Sequence, residues 1–361
     1  MSPRAQAPGG RRLALDMQPG LPIAVPTAGV PVRLTMEVST PCSAPFDGDE
    51  WLFSVEWAGS RCLLVAGGDG SVRLHGENAP LDDRFPEIVA AASFCAERTA
   101  ILDGTICILD GQGRPNLGAL FRRVAAGQSR PSAVYLVTDL LHLDGESMAG
   151  RPLLTRLAAL GELIPPDSRI QLPDHVVGHG RALAAAISGR GLAAMLARRQ
   201  DSRYQAGMAS PDRLRISLSG RRDAVVVGWR STASGVRVVL GDWLPGRLGL
   251  VGTALVGDPA ARRWLAATAE PTTDIAIEDP DAVGPGVTWA RPRLVATVDP
   301  EPRGPAGDEL PEWQVVALRD DVDPVWCIRR TPVDPPPASA HHPLRPFSPT
   351  VLTALPMDRT A

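Results

Sequence analysis

From about Arg222 the chain is written in short, valine-rich runs separated by glycine, at 224–229, 235–240, 250–255, 294–298 and 314–318. Short, evenly spaced strand candidates with glycine turns between them predict a small β-barrel. The preceding part has a different texture, in which strand-like and helix-like patterns mix. At 51–57, Trp51, Phe53, Val55 and Trp57 alternate with Leu52, Ser54 and Glu56. That alternation predicts a strand with one buried aromatic face, Glu56 lying on the other. The glycine-rich turn at 67–70 predicts a hairpin joining 61–65 to 72–74. Helical spacing is present at 85–97, which opens on Phe85, Pro86 and Glu87, and at 117–126, 153–163 and about 181–198. Further strand runs fall at 100–102, 106–109 and 133–137. A boundary near 220 therefore divides an α+β domain, 33–220, from a barrel domain, 221–332. Residues 1–32 and 333–361 are proline-rich, lack apolar periodicity, and read as flexible tails.

Composition narrows the chemistry. The chain has 361 residues, 44% of them hydrophobic and 21% charged, as in a soluble globular protein. Its five cysteines form no C-x-x-C pair, so neither a zinc site nor a disulfide framework is indicated, and a reducing cytoplasmic location is expected. Prolines 22, 26 and 31 break the one early apolar stretch, against a signal or membrane segment. All 37 basic residues are arginine. A chain without lysine has no side-chain amine to act as a nucleophile, and a guanidinium stays protonated and cannot replace it.

Several segments stand in a recognisable order: WLFSVEWAGSR (51–61), FPE (85–87), LDG (102–104), TDLLHLDG (138–145) with RPL (151–153), DSRY (201–204), WARP (289–292) and LRDDVDP (318–324). Together they resemble the ATP-dependent DNA ligases, most closely the bacterial end-joining type, over roughly residues 33–330. The resemblance implies a nucleotidyltransferase (ligase adenylation) domain followed by an OB-fold. It also implies a lysine nucleophile in K-x-D-G-x-R that takes AMP from ATP, with Mg²⁺ held by carboxylates.

Against that pattern Glu56 stands for the lysine and Ala58 for the aspartate, while Gly59 and Arg61 remain. Thr105 ends what should be D-G-E, and Thr138 replaces an adenine-stacking aromatic. Ala193 and Arg198 replace the glutamate and lysine of E-G-x-x-x-K. The next two lysines fall on Arg215 and Ser217, and Arg319 and Asp321 persist where Val322 replaces the lysine of R-x-D-K. A carboxylate at 56 facing a triphosphate would meet repulsion of about 4 kcal/mol at 4 Å. His75, without a carboxylate partner in view, reads as solvated. Asp139 and Asp144 read as turn or strand-end residues.

Neither domain is basic, with 19 Arg against 21 acidic residues in 33–220 and 13 against 16 in 221–332. The segment 190–222 is the exception. Arg198, Arg199, Arg203, Arg213, Arg215, Arg221 and Arg222 there are candidates for contact with DNA phosphates, an ordinary solvated surface being the alternative. Glu56 is expected to be an exposed strand residue, the alternative being a charge that blocks nucleotide binding or pairs with Arg61 or Arg198. Arg61 could bind a nucleotide phosphate or serve as an ion-pair partner.

The chain is thus expected to be a monomeric ligase-family protein without a catalytic residue, metal or cofactor, acting with nicked or broken DNA and repair proteins and not with membranes. The alternatives are a ligase that seals pre-adenylated DNA, and a protein-interaction module that no longer binds DNA.

Overall fold

The computed structural model describes residues 35–126, 131–166, 168–301 and 310–336. The expected N-terminal tail lies outside the described residues, as does the expected C-terminal tail beyond 336.

In chain order the strands are β1 (Val38–Cys42), β2 (Gly48–Val55), β3 (Ser60–Gly67), β4 (Val72–Gly76), β5 (Thr99–Cys107), β6 (Val134–Leu143), β7 (Glu146–Ser147), β8 (Ile170–Gln171), β9 (Val176–Gly178), β10 (Ala194–Arg199), β11 (Ala209–Ser217), β12 (Arg222–Thr232), β13 (Gly235–Leu244), β14 (Arg247–Val256), β15 (Thr288–Pro300) and β16 (Glu312–Arg319). The helices are α1 (Pro86–Ala91), α2 (Leu117–Ala126), α3 (Leu153–Leu163), α4 (Gly180–Ser188) and α5 (Pro259–Thr268). Three sheets result. One runs β1-β11-β10-β2-β9, a second runs β4-β3-β5-β6-β7 with β8 on β6, and the third is a closed barrel in the order β12-β13-β14-β16-β15. The fold is α+β and mostly sheet. Its barrel has five strands, with α5 between the third and fourth in chain order.

Local chemistry explains most of the elements. β3 and β4 pair as the expected hairpin, with Gly68 and Gly70 at positive φ in the turn. α3 starts after Pro152 and sets Leu153, Leu157, Leu160 and Leu163 on one buried face. Asp258 caps α5 by accepting the Ala260 and Ala261 amides. Gly252 lets β14 pass close to the strand that closes the barrel, since a Cβ there would lie 2.1 Å from the Pro311 carbonyl oxygen.

Several expectations are corrected. The helical pattern at 181–198 is a helix followed by a strand. Gly189 and Gly191, the latter at φ 71, end α4, and 194–199 enters the first sheet as β10. The 85–97 pattern gives only α1 and a short 3₁₀ turn. The run at 100–102 and the first half of that at 106–109 belong to one strand, β5, whose middle holds Asp103 and Gly104; a Cβ on Gly104 would lie 2.6 Å from the Leu136 carbonyl oxygen. The alternation at 51–57 does not divide a wet face from a dry one. β2 lies inside its sheet between β10 and β9, and Leu52 and Ser54 are buried like their neighbours. Within 333–336, Val333 forms a parallel bridge with Cys42.

Candidate functional site

The residues singled out in the sequence converge where the first two sheets face each other and the barrel meets them. β2 ends at Val55, so Glu56 follows immediately, its amide donating to the Ala194 carbonyl. Gly59 then lets the link into β3 pass against β5, where a Cβ would meet the Ile106 carbonyl oxygen at 2.3 Å. Ala58 lies in that link, and its carbonyl accepts from the Cys107 thiol. Thr105 stands opposite Arg61 in the β3–β5 register, and Ala193 lies just ahead of β10.

The charges in this cleft are matched to one another. Arg61 forks onto Asp103, Nε to Oδ1 at 3.1 Å and Nη2 to Oδ2 at 2.7 Å, and Nη1 donates to the Glu37 carbonyl at 2.6 Å. The Tyr204 hydroxyl also donates to Asp103, at 2.8 Å, and accepts the Glu37 amide. Burial opposes ionisation of Asp103, but the Arg61 charge and hydrogen bonds outweigh it and hold the carboxyl below the usual carboxylate range. Of the two roles open to Arg61, the structure shows the ion pair.

Asp139 is no turn residue. It sits within β6 at 1% exposure and is gripped by Arg156 of α3 through Nε at 2.6 Å and Nη2 at 2.9 Å. Asp144 is the turn residue, at φ 47, paired with Arg98. Arg198 donates to the Thr138 carbonyl at 2.6 Å and lies 3.9 Å from Asp139. Directly across the β10–β11 ladder stands Arg213, so two buried guanidinium groups face each other. Burial and then Arg213 push the Arg198 guanidinium down to about 10. Arg213 bonds Ser39 at 3.1 Å and lies 3.9 Å from Glu37, whose carboxyl burial raises, Arg213 only partly offsetting the shift.

Glu56 is neither an exposed leftover nor a partner of Arg61 or Arg198. It is half-buried and pairs with Arg215, Nε to Oε2, at 2.7 Å. The strand break after Val55 turns the carboxylate toward β11, which brings Arg215 within reach. From the barrel side, Arg319 forks onto Asp321 at 2.6 Å on both arms. Its Nη2 also donates to the Gly59 carbonyl at 2.8 Å, and Ser60 donates to Asp321 at 2.5 Å.

The arginines of 190–222 form no open stripe. Arg198 and Arg213 are interior, Arg199 pairs with Asp201 and Asp212, Arg221 with Asp299, and Arg222 with Asp242. Arg190 and Arg203 are the exposed members of the group. His75 is half-buried on β4, where burial lowers its pKa. The key residue that the sequence reading missed is Arg156, and the signal was present: an arginine at a position where the apolar stripe of α3 calls for a hydrophobe.

A magnesium nucleotide does not fit these residues. Positions 105 and 193 supply no carboxylate, no three His, Cys, Asp or Glu side chains converge among the described residues, and the arginines are turned onto internal acids. No described helix is long and apolar enough to cross a membrane.

No protein-family model matches the chain. It is similar to the multifunctional non-homologous end joining DNA repair protein LigD of Mycobacterium tuberculosis H37Rv, 29% identical over 300 residues, covering 79% of this chain and 38% of that protein. It is also similar to a probable DNA ligase of Streptomyces avermitilis, 29% identical over 293 residues, covering 74% of this chain and 55% of that one. The chain thus spans less than two thirds of the length of these curated relatives. Among solved structures, a mycobacterial DNA ligase D complexed with ATP and MES superposes with a TM-score of 0.58 at 25% identity, covering 82% of this chain and 98% of that one. Over most of its length the chain is thus similar in sequence to DNA ligases, and it shares the fold of a ligase domain.

Proposed function

We propose that this chain is a ligase-family protein that does not adenylate itself and serves as a DNA-binding accessory in break repair, 33–220 forming the adenylation-like unit and 221–332 the barrel unit. One observation carries the reading. The nucleophile's place holds Glu56, ion-paired with Arg215, in a chain without a single lysine. Protein-bound AMP would need an amine that can lose its proton. The repair setting is supported by the relatives, one of which is a non-homologous end joining DNA repair protein.

The test is incubation with α-labelled ATP and Mg²⁺, followed by denaturing electrophoresis. No labelled protein is expected, and a stable label overturns the reading. DNA contact is tested separately with nicked and intact duplex across a salt series. Binding that weakens steeply with salt supports the accessory role, and no binding at low salt removes it.

A further inference from the structure

The barrel is joined to the rest of the molecule at two points along the chain, and both are short. Leu218–Arg221 connects β11 to β12, and the Leu218 amide is itself held by the Ala193 carbonyl at 2.8 Å. The second connection follows β16. Cys327 and Arg329 bond to either side of Trp243 on β13: the Trp243 amide donates to the Cys327 carbonyl at 2.8 Å, and the Arg329 amide donates to the Trp243 carbonyl at 2.9 Å. A few residues later the chain has crossed to the first sheet. There the Val333 amide donates to the Pro41 carbonyl and the Ser43 amide to the Val333 carbonyl, each at 2.9 Å. Val333 thereby extends the first sheet beyond its edge strand β1.

We propose that Cys327–Val333 is a strap, tied to the barrel at one end and to β1 at the other, that keeps the barrel closed over the cleft without any nucleotide. From Arg329 to Val333 the chain can reach roughly 14 Å at most, so the barrel cannot swing away while Val333 stays paired. With the short β11–β12 link pinned as well, the molecule has no single hinge. The seam under the strap is closed by groups of this chain. Arg319 reaches the Gly59 carbonyl, Ser60 reaches Asp321, and the Asn78 amide donates to the Asp320 carbonyl at 2.9 Å. Phe121 of α2 packs edge-on against Trp264 of α5 at 5.3 Å. A duplex would therefore meet a molecule that is already shut. The inference stands independently of whether any adenylation occurs.

The full chain in nucleotide-free buffer should scatter X-rays as the closed arrangement does, and ATP with Mg²⁺ should leave its maximum dimension unchanged. In full-length Val333→Pro, which loses the amide donor to Pro41, exchange of the Ser43 amide and of the 319–323 backbone should quicken roughly tenfold. Truncation after Arg329 should do the same and enlarge the particle, whereas truncation after Pro336 should do neither. An extended nucleotide-free particle overturns the strap, as does a contraction on adding ATP. So does unchanged exchange at 319–323 in a folded Val333→Pro or Arg329-truncated chain. Should neither variant fold, the scattering of the unaltered chain decides.

Discussion

Asp139 and Leu240 are almost equally withdrawn from water, at 1% and 0% exposure, yet their surroundings are built on opposite plans. Around Leu240 the barrel interior is hydrocarbon: Val226, Val238, Ala254, Leu294 and Ala296 pack with it. Around Asp139 the cleft between the sheets is ionic, with Arg156, Arg198, Arg213, Arg61, Asp103 and Glu37 in one coupled array. The apolar interior is tolerant, because any side chain of suitable volume restores most of what is lost. The ionic interior is not, because deleting one member strands its partner in a place with little water. The cleft also carries an internal mismatch in the facing pair Arg198 and Arg213, where Arg198 Nε and Arg213 Nη1 lack hydrogen-bond partners among the described residues.

The sharpest break in the comparison is Arg156→Ala. Removing it leaves Asp139 buried with the Leu140 amide at 2.9 Å and no cation nearer than Arg198 at 3.9 Å among the described residues, and denaturant unfolding should show a loss of about 3–5 kcal/mol. Replacing both partners, with Arg156→Met and Asp139→Leu, makes this spot resemble the barrel and should recover most of the loss. If the double variant is as unstable as the single one, the pair contributes through geometry that a hydrophobic pair does not reproduce. On the barrel side, Leu240→Ala should cost about 2–4 kcal/mol through lost burial and the residual cavity, and Leu240→Met should be mild. An equally mild Leu240→Ala would show that the barrel interior collapses more readily than its packing implies.

The same contrast decides how much could be read from the sequence. The hairpin, α2, α3 and the barrel strands are local patterns, and α3 spans the 153–163 expected for it. The failures were of two kinds. At 181–198 the alanine-rich pattern ran on past Ser188, where the helix ends, and the left-handed Gly191 that turns the chain before β10 begins. Among the arginines of 190–222, important partners lie far along the chain: Arg215 and Glu56 are 159 residues apart, and Arg221 and Asp299 are 78. Counting charges within 190–222 saw only the nearby Asp201 and Asp212, so a set of internal ion pairs looked like a free basic surface. The absence of lysine and the order of the motifs needed no such pairing information, which is why they were legible.

A smaller effect is expected at the seam between cleft and barrel. Glu77 accepts the Asp323 amide at 3.1 Å, and burial raises its carboxyl to about 7, that bond and Arg61 only partly offsetting the shift. A carboxyl that is raised in the folded protein keeps a proton there that the unfolded chain has already lost. Its contribution to stability is therefore full below about 4.5 and declines as pH rises toward 7. Glu77→Gln, which cannot ionise, should melt with the parent near pH 4.5 and above it at pH 8, by roughly 2–4 °C. Superimposable melting curves at pH 8 would place Glu77 in water rather than in the seam.

The least expected change in stability comes at position 56, where Glu56→Lys returns an amine to the chain. The half-exposed pair with Arg215 contributes up to about 1 kcal/mol. The lysine would lose that pair and set an ammonium beside the same guanidinium, so a loss on the order of 1 kcal/mol is expected, larger at low salt than at high salt. Like charge at short range also lowers the amine's pKa, which by itself favours a nucleophile. Even so, labelled ATP should not mark this variant. Thr105 and Ala193 still supply no carboxylate for a metal, Thr138 offers no face for a base, and Asp103 and Asp139 remain clasped by Arg61 and Arg156. Should Glu56→Lys become labelled while the parent does not, the ionic cleft must be able to open its pairs toward a nucleotide, and its difference from the closed apolar barrel would be one of degree.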